Sequence, residues 1–319
     1  MTIRSPRLAF FLVFLISLIW GTEFVLIDLA VAELPTHTFN AIRFAIAAIS
    51  LLPLLYFSKE KVRPDQLKKL ILTAPVLGAM LFIGFYAQTE GLRFTTVSNA
   101  GFITALSVPL VPVLGFLFFR QKVRLMVGLG VALATLGLYL LTMGGSAYVF
   151  NKGDLLVLIC AFGFAAHIVL TGRWVGNMPV ITLSIIQLLA VSLYSVIGAA
   201  IGDHPVFYYA GSTPINGWEL FSKPIVIFAI VVASTLGTAY AVWAQSACQK
   251  LLPPHKIALV FALEPIFAHV TAWIVLSEHL GVVGVIGAAC IVVAMVISEL
   301  GDDEHQPEIQ PLDQTATPH

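Results

Sequence analysis

Charge is scarce in this chain. Of its 319 residues, 17 are basic and 17 acidic, so the formal net charge is zero. A neutral chain lacks the electrostatic footprint of a nucleic-acid binder. Cysteine is scarce too. Cys160, Cys248 and Cys290 stand far apart inside apolar stretches with no CxxC spacing, which excludes a disulfide framework and a zinc site. Catalytic signatures are missing: there is no His-Glu-x-x-His and no Gly-x-Ser-x-Gly. Neither an enzyme nor a cofactor is therefore expected. There is also no Gly-x-x-x-x-Gly-Lys-Ser/Thr loop, and Gly144-Gly145 beside Ser146 has no phosphate-binding context, so ATP-driven transport is not encoded here. Finally, no polar stretch is long enough for a soluble catalytic domain.

What fills the chain is apolar. Hydrophobic residues make up 59% of it, and the mean hydropathy is +0.95. About 20 apolar residues cross ~30 Å of hydrocarbon. Ten stretches meet that measure: Leu8–Ala32, Pro35–Phe57, Leu67–Leu92, Thr96–Phe119, Val123–Met143, Asp154–Val175, Pro179–Ile201, Pro224–Gln249, Lys256–Leu276 and Leu280–Glu299. The expected fold is an all-α integral membrane protein with ten transmembrane helices in the lipid bilayer. Arg4, Arg7 and Ala30-Val31-Ala32 resemble a signal peptide with its cleavage site. The segment is unusually long and carries Glu23 and Asp28, so it reads as a retained helix. The one long connection, Gly202–Lys223, holds Tyr208, Tyr209 and Trp218 and suits a membrane interface. The tail 301–319 is acidic and rich in Pro and Gln, a composition that favours disorder.

Basic residues set the orientation. With both termini inside, thirteen of the 17 Lys and Arg fall in cytoplasmic connections. Only Arg93, Lys152 and Lys223 fall outside, and Arg43 is intramembrane. This bias places both termini in the cytoplasm of a multi-pass inner-membrane protein.

Two charges sit inside the first two stretches. Glu23, in Trp20-Gly21-Thr22-Glu23, lies about 13 Å below the outer end of its helix, and Arg43 about 12 Å below the same end of the next, at 1.5 Å per residue. An antiparallel hairpin brings them to one level. Charges at that depth are costly and mark pathways or partners. One reading is a structural ion pair; the other is a direct substrate or coupling role.

The chain also repeats. Glu23, Pro35, Asn40 and Arg43 meet His167, Pro179, Ser184 and Gln187 at a shift of 144. Ala87-Gln88-Thr89 meets Ala244-Gln245-Ser246, and Gly130 meets Gly287, at 157; Pro109 meets Pro265 at 156. The long connection Gly202–Lys223 accounts for the step. The halves 8–143 and 154–299 each hold five helices. Five is odd, so the second half enters the membrane upside down, as in secondary transporters that bind solute near the midplane.

Polar stripes mark two helices at three- and four-residue spacing: Thr36, Asn40, Arg43 and Ser50 on the second, Thr235, Thr238, Gln245 and Gln249 on the eighth. Such stripes serve as packing glue or as cavity lining. Pro109 and Pro112 interrupt the fourth helix and Pro265 the ninth, as static kinks or as flexing points. Glu90 and Arg93, one turn apart, read as a surface ion pair. Glu264 caps backbone or serves a gate, and His269 is packed. His167 titrates in the physiological range when unperturbed and is the expected proton carrier if transport is proton-coupled; a packed, hydrogen-bonded histidine is the plainer reading.

Several short runs resemble the EamA-type members of the drug/metabolite transporter superfamily across Leu8 to Glu299. They are Trp20-Gly21-Thr22; Arg43-Phe44-Ala45; Gly91-Leu92-Arg93-Phe94-Thr95-Thr96 running into Ala100-Gly101-Phe102-Ile103; and Phe261-Ala262-Leu263-Glu264-Pro265-Ile266-Phe267-Ala268, followed by Ser277-Glu278-His279-Leu280. The resemblance implies ten helices in two inverted halves, with helices one to four and six to nine around a central cavity and five and ten outside. It also implies export of amino acids or other metabolites. The expected partner is a small-molecule substrate, with Arg43 for a carboxylate and Glu23 for an amine. Trp20, Asn40, Tyr86, Gln88, His167, Gln187, Trp243 and Gln245 complete the candidate site. A multidrug exporter is the alternative, favoured if Trp20, Phe85, Tyr86 and Trp243 dominate the cavity. An intramembrane enzyme built on Glu23 and His167, or a passive channel, is a more distant rival.

Overall fold

The structure is a computed structural model that describes residues 3, 5–58, 60–120, 125–143, 150–201, 223–277, 279 and 281–300. The expected interfacial loop at 202–222, the Gly144-Gly145 turn and the tail 301–319 lie outside the described residues. Every regular element among the described residues is helical: α1 Pro6–Val31, α2 Thr36–Ser50, α3 Leu52–Ser58, α4 Pro64–Leu92, α5 Val97–Thr104, α6 Ser107–Phe119, α7 Leu125–Met143, α8 Lys152–Trp174, α9 Val180–Ile201 and α10 Pro224–Ser234. A π-helical turn, Thr235–Tyr240, leads into α11, Ala241–Cys248; then come α12 Pro254–Phe261, α13 Glu264–Leu276 and α14 Val282–Leu300.

By length and composition, seven helical spans can cross a membrane: Pro6–Val31, Thr36–Ser58, Pro64–Leu92, Val97–Phe119, Lys152–Trp174, Val180–Ile201 and Pro224–Cys248. Gly128–Leu140, Glu264–Leu276 and Val282–Ala294 are shorter apolar helices. The chain is a multi-pass membrane protein. Large apolar side chains face outward along it, among them Leu125, Ile201, Val282 and Ile274, as a lipid-contacting surface requires.

Helix ends follow local chemistry. Asn151 caps α8 by accepting from Gly153 N at 2.6 Å and Asp154 N at 3.1 Å, and Asp154 accepts back from Asn151 N at 3.0 Å. Such caps satisfy backbone donors that lipid cannot, and are worth about 1 kcal/mol. Thr96 caps α5 through Asn99 N. Glu60 does the same work over a long range, accepting from Thr182 N at 2.9 Å and Ile181 N at 3.3 Å in the first turn of α9.

Three proline-bearing spans break near their prolines, whereas α4 runs unbroken through Pro75. Helices α5 and α6 are separated at Ala105–Leu106, ahead of Pro109 and Pro112. Helices α12 and α13 are separated at Ala262–Leu263, with Pro265 in the first turn of α13. Pro53 falls just after the break that separates α2 from α3 at Leu51. Helices α6 and α13 both end on a left-handed residue that is not glycine, Arg120 at φ 54° and Ser277 at φ 55°. These two positions are 157 residues apart.

The helices pack in a reciprocal pattern. α1 lies on α13, as α8 lies on α5 and α6. α4 lies on α8, as α10 and α11 lie on α1. α2 pairs with α9, and α7 pairs chiefly with α14. Lipid tails are as apolar as the helix faces, so close packing and polar contacts, not water expulsion, hold these pairs.

Candidate functional site

Trp20 and Glu23 stand one turn apart on α1. The Glu23 carboxylate lies 2.5 Å from an Arg43 terminal nitrogen, and both side chains are buried. The hairpin thus brings the two intramembrane charges together at the expected level. Arg43 Nε donates to Thr238 Oγ1 at 2.6 Å, which joins the polar stripe of α2 to that of the π-turn. The guanidinium carbon also sits 4.8 Å from the Phe85 ring centroid, within cation–π reach. The carboxylate and the terminal guanidinium nitrogens are close by distance but off hydrogen-bond angles, so their donors and acceptors are unspent.

The π-turn shapes this contact. A π-turn widens the helix by one residue and leaves backbone groups free. Trp20 Nε1 donates to Gly237 O at 2.7 Å. Gly237 has no side chain, and a Cβ there would overlap the Glu23 carboxylate.

The second half holds a parallel arrangement. His167 Nε2 lies 2.8 Å from Gln187 Oε1, and Thr171 Oγ1 is 3.3 Å from the same nitrogen. Gln245 Nε2 lies 3.4 Å from His167 Nδ1, and Gln249 Nε2 donates to Ile168 O. His167 and Gln187 occupy the positions that match Glu23 and Arg43. Gln88 Nε2, the counterpart of Gln245, donates to Thr104 Oγ1 at 3.2 Å.

Two narrow cavities lie between these groups. Trp20, Glu23, Phe24, Ile27, Arg43, Phe85, Gln88, Phe164 and Glu264 line the first. The second is lined by His167, Gln245, Thr104, Ser107 and Phe261, and again by Trp20, Phe164 and Glu264. Each has room for about one water molecule in this conformation. Trp20 and Phe164 stack, with centroids 6.3 Å apart and planes 8° from parallel. They share the wall between the cavities.

Among the candidates, Trp20, Glu23, Arg43 and Gln88 meet at the first cavity, and Trp20, His167 and Gln245 at the second. Gln187 stands behind His167. Asn40 is buried, lines neither cavity, and leaves both side-chain polar atoms unpartnered. Tyr86 stacks on His37 at 4.4 Å, away from both cavities. Trp243 packs beside Tyr240. Glu23 and His167 line different cavities, which separates the pair that an enzyme reading would join.

Two further readings change. No Glu90–Arg93 ion pair forms among the described residues; Glu90 instead accepts from Thr36 at 2.6 Å, because Thr36 opens α2 at the same level. Glu264 caps no backbone, although it opens α13. Its place on both cavities went unrecognised, as did that of Phe164. Phe164 was findable, since it lies at the 144 shift from Trp20. His269 is held as expected, with Nδ1 3.0 Å from Ser98 Oγ.

At one end of the bundle Gln66 Nε2 donates to Asn177 O, and Lys250 Nζ donates to Met178 O, both at 2.6 Å. Burial lowers the Lys250 pKa from its ordinary value, and Glu60 pulls it back up.

The family model of the EamA-like transporter family matches residues 7–143 and, again, residues 151–299. The chain belongs to the EamA-like transporter family. A transporter of Archaeoglobus fulgidus, named uncharacterized, is 31% identical over 286 residues, covering 90% of this chain and 84% of that one. The uncharacterized inner membrane transporter YedA of Escherichia coli K12 is 25% identical over 238 residues, covering 72% of this chain and 76% of its own. One solved crystal structure superposes with a TM-score of 0.65 over 93% of this chain and 97% of that one. At 16% identity it shows a shared fold. As a member of this family, the chain is a membrane transporter.

Proposed function

We propose that the chain is a secondary transporter of the inner (plasma) membrane that exports small polar metabolites such as amino acids. The observation that carries this reading is the buried Glu23–Arg43 pair, open with Gln88 onto a cavity between helices of both halves. A zwitterion presents both charges that such a site can answer. Export, rather than uptake, is what the family resemblance implies.

The same reading arranges the chain as ten helices in two inverted halves, 8–143 and 154–299, with both termini cytoplasmic. Its support is the reciprocal packing, in which exchanging the halves maps the main helix pairs onto one another or onto themselves. The breaks at Ala105–Leu106 and Ala262–Leu263 fall 157 residues apart, and the stacked Trp20 and Phe164 fall 144 apart. A cavity with room for about one water is too small for an amino acid, so transport needs the halves to move. The paired helix breaks are the proposed bending points.

An aromatic-compound exporter is the second reading. Trp20, Phe24, Phe85 and Phe164 on the first cavity favour it. Tyr86 and Trp243, which it also invoked, lie elsewhere.

Purified protein in liposomes preloaded with an unlabelled amino-acid mixture tests the proposal. Counterflow of individual labelled amino acids is expected for at least one of them. Absence of counterflow for every amino acid, together with flux of hydrophobic amines or dyes, selects the second reading.

A further inference from the structure

Glu264 differs from the other ionisable groups on the two cavities. Glu23 lies against Arg43, and His167 is held by Gln187, Thr171 and Gln245. Glu264 is only 7% exposed and makes no hydrogen bond or ion pair among the described residues. It is nonetheless on the wall of both cavities. In the first half the matching helix α6 opens at Ser107, 157 residues earlier, so only the second half carries a carboxyl at this position.

The usual duty of a glutamate at a helix start is to accept from free backbone N–H groups. Glu264 opens α13, yet its carboxyl accepts from none of them. Gly21 is packed so tightly beneath it that a Cβ would come 2.6 Å from the Glu264 carbonyl, which fixes the backbone at this point. The side chain is thus held toward the cavities with its bonding capacity unspent.

Its surroundings are aromatic. Trp20 packs 4.9 Å from Phe261, and Phe164 packs 4.9 Å from Phe85. With Trp20 stacked on Phe164, four rings run across the wall beside Glu264. A carboxylate in such a site needs a compensating proton or cation. An ammonium group supplies three donors and is drawn to aromatic faces as well. Glu23 cannot serve as readily, because Arg43 already neutralises it.

We propose that Glu264, rather than Glu23, binds the ammonium group of the transported solute, whose apolar part packs against Trp20 and Phe164. The substrate class is then amines and amino acids, and organic anions without an amine are excluded. This inference rests on the transporter reading and names the chemistry of its site.

Equilibrium binding to the purified protein in detergent tests it, with four probes that share one phenyl body. They are phenethylamine, phenylalanine, 3-phenylpropionate and 2-phenylethanol. Wild type is expected to bind phenethylamine and phenylalanine saturably and 3-phenylpropionate at least tenfold more weakly, a difference of about 1.4 kcal/mol. Glu264→Gln keeps the side-chain size; it should weaken phenethylamine by about tenfold or more and leave 2-phenylethanol unchanged. Glu264→Asp should recover part of the loss, and an unchanged melting temperature in both variants excludes misfolding. Three results overturn the proposal: phenethylamine bound equally by wild type and Glu264→Gln, 3-phenylpropionate bound as tightly as the amine, or no saturable amine binding by wild type. The transporter reading fails separately. Binding that depends on Glu264 without flux of any solute in liposomes would retain the site and reject transport.

Discussion

Trp20 lies flat against Phe164, 6.3 Å between ring centroids, and the two are each other's counterparts at the 144 shift. Residues related by a twofold exchange meet each other only near its axis. This contact therefore marks where the proposed halves face one another, and it separates the Glu23–Arg43 cavity from the His167 cavity.

Trp20 and Phe164 should be energetically coupled. Aromatic pairs are worth about 0.5–1.5 kcal/mol beyond their buried area. In a thermal-unfolding cycle, Trp20→Leu with Phe164→Leu should destabilise by less than the sum of the single changes. Strict additivity would show that the stack contributes nothing. Trp20→Phe should keep the stack and lose the hydrogen bond to Gly237.

Arg43→Ala is expected to abolish transport and to cost about 3–5 kcal/mol of stability, because a buried carboxylate loses its partner. The exchange Glu23→Arg with Arg43→Glu separates two roles. Restored flux in liposomes would assign the pair to structure and remove Arg43 as a carboxylate anchor.

Gly237→Ala is a sharper probe of the same contact. A methyl group there occupies the space of the Glu23 carboxylate. The variant should lose transport almost as completely as Arg43→Ala while every charged residue remains. Near-normal flux would mean that Glu23 has room to move aside, and that its position is not critical.

His167→Gln tests coupling. The imidazole has polar neighbours at both nitrogens, and an amide can replace part of that network. If the wild type accumulates substrate under an imposed pH difference, the variant is expected to do so more slowly but still to accumulate it. Equilibration without accumulation would instead make His167 the proton carrier.

Topology has a direct test. Reporters fused at Met1 and after His319 should both be cytoplasmic. A cysteine placed at Ser212 should label from outside intact cells, with Cys290 changed to Ser because it is partly accessible. Protection of that cysteine in intact cells, with the protein present in the membrane, would break the ten-helix count.

Much of this protein was legible along the chain. Membrane spans are set by runs of apolar residues, so an all-helical, multi-pass chain follows from hydropathy alone. The pairing of Glu23 with Arg43 was legible too, because a short hairpin fixes which depths face each other. Pro109 and Pro265 marked two of the helix breaks, since a missing N–H acts on its own turn, although Pro75 breaks nothing in α4. Tertiary structure decided the rest. Thr36 and not Arg93 is the partner of Glu90, because the neighbouring helix start is closer than the next turn. The π-turn at Thr235–Tyr240 has no signal in composition, yet it places Gly237 against Trp20 and Glu23. Asn40, Tyr86 and Trp243 share the composition of cavity residues but are turned elsewhere. Helical periodicity says which residues share a face, not which neighbour that face meets. Glu264 shows the limit most clearly: its charge is plain in the sequence, but its lack of a partner among the described residues is a property of everything packed around it.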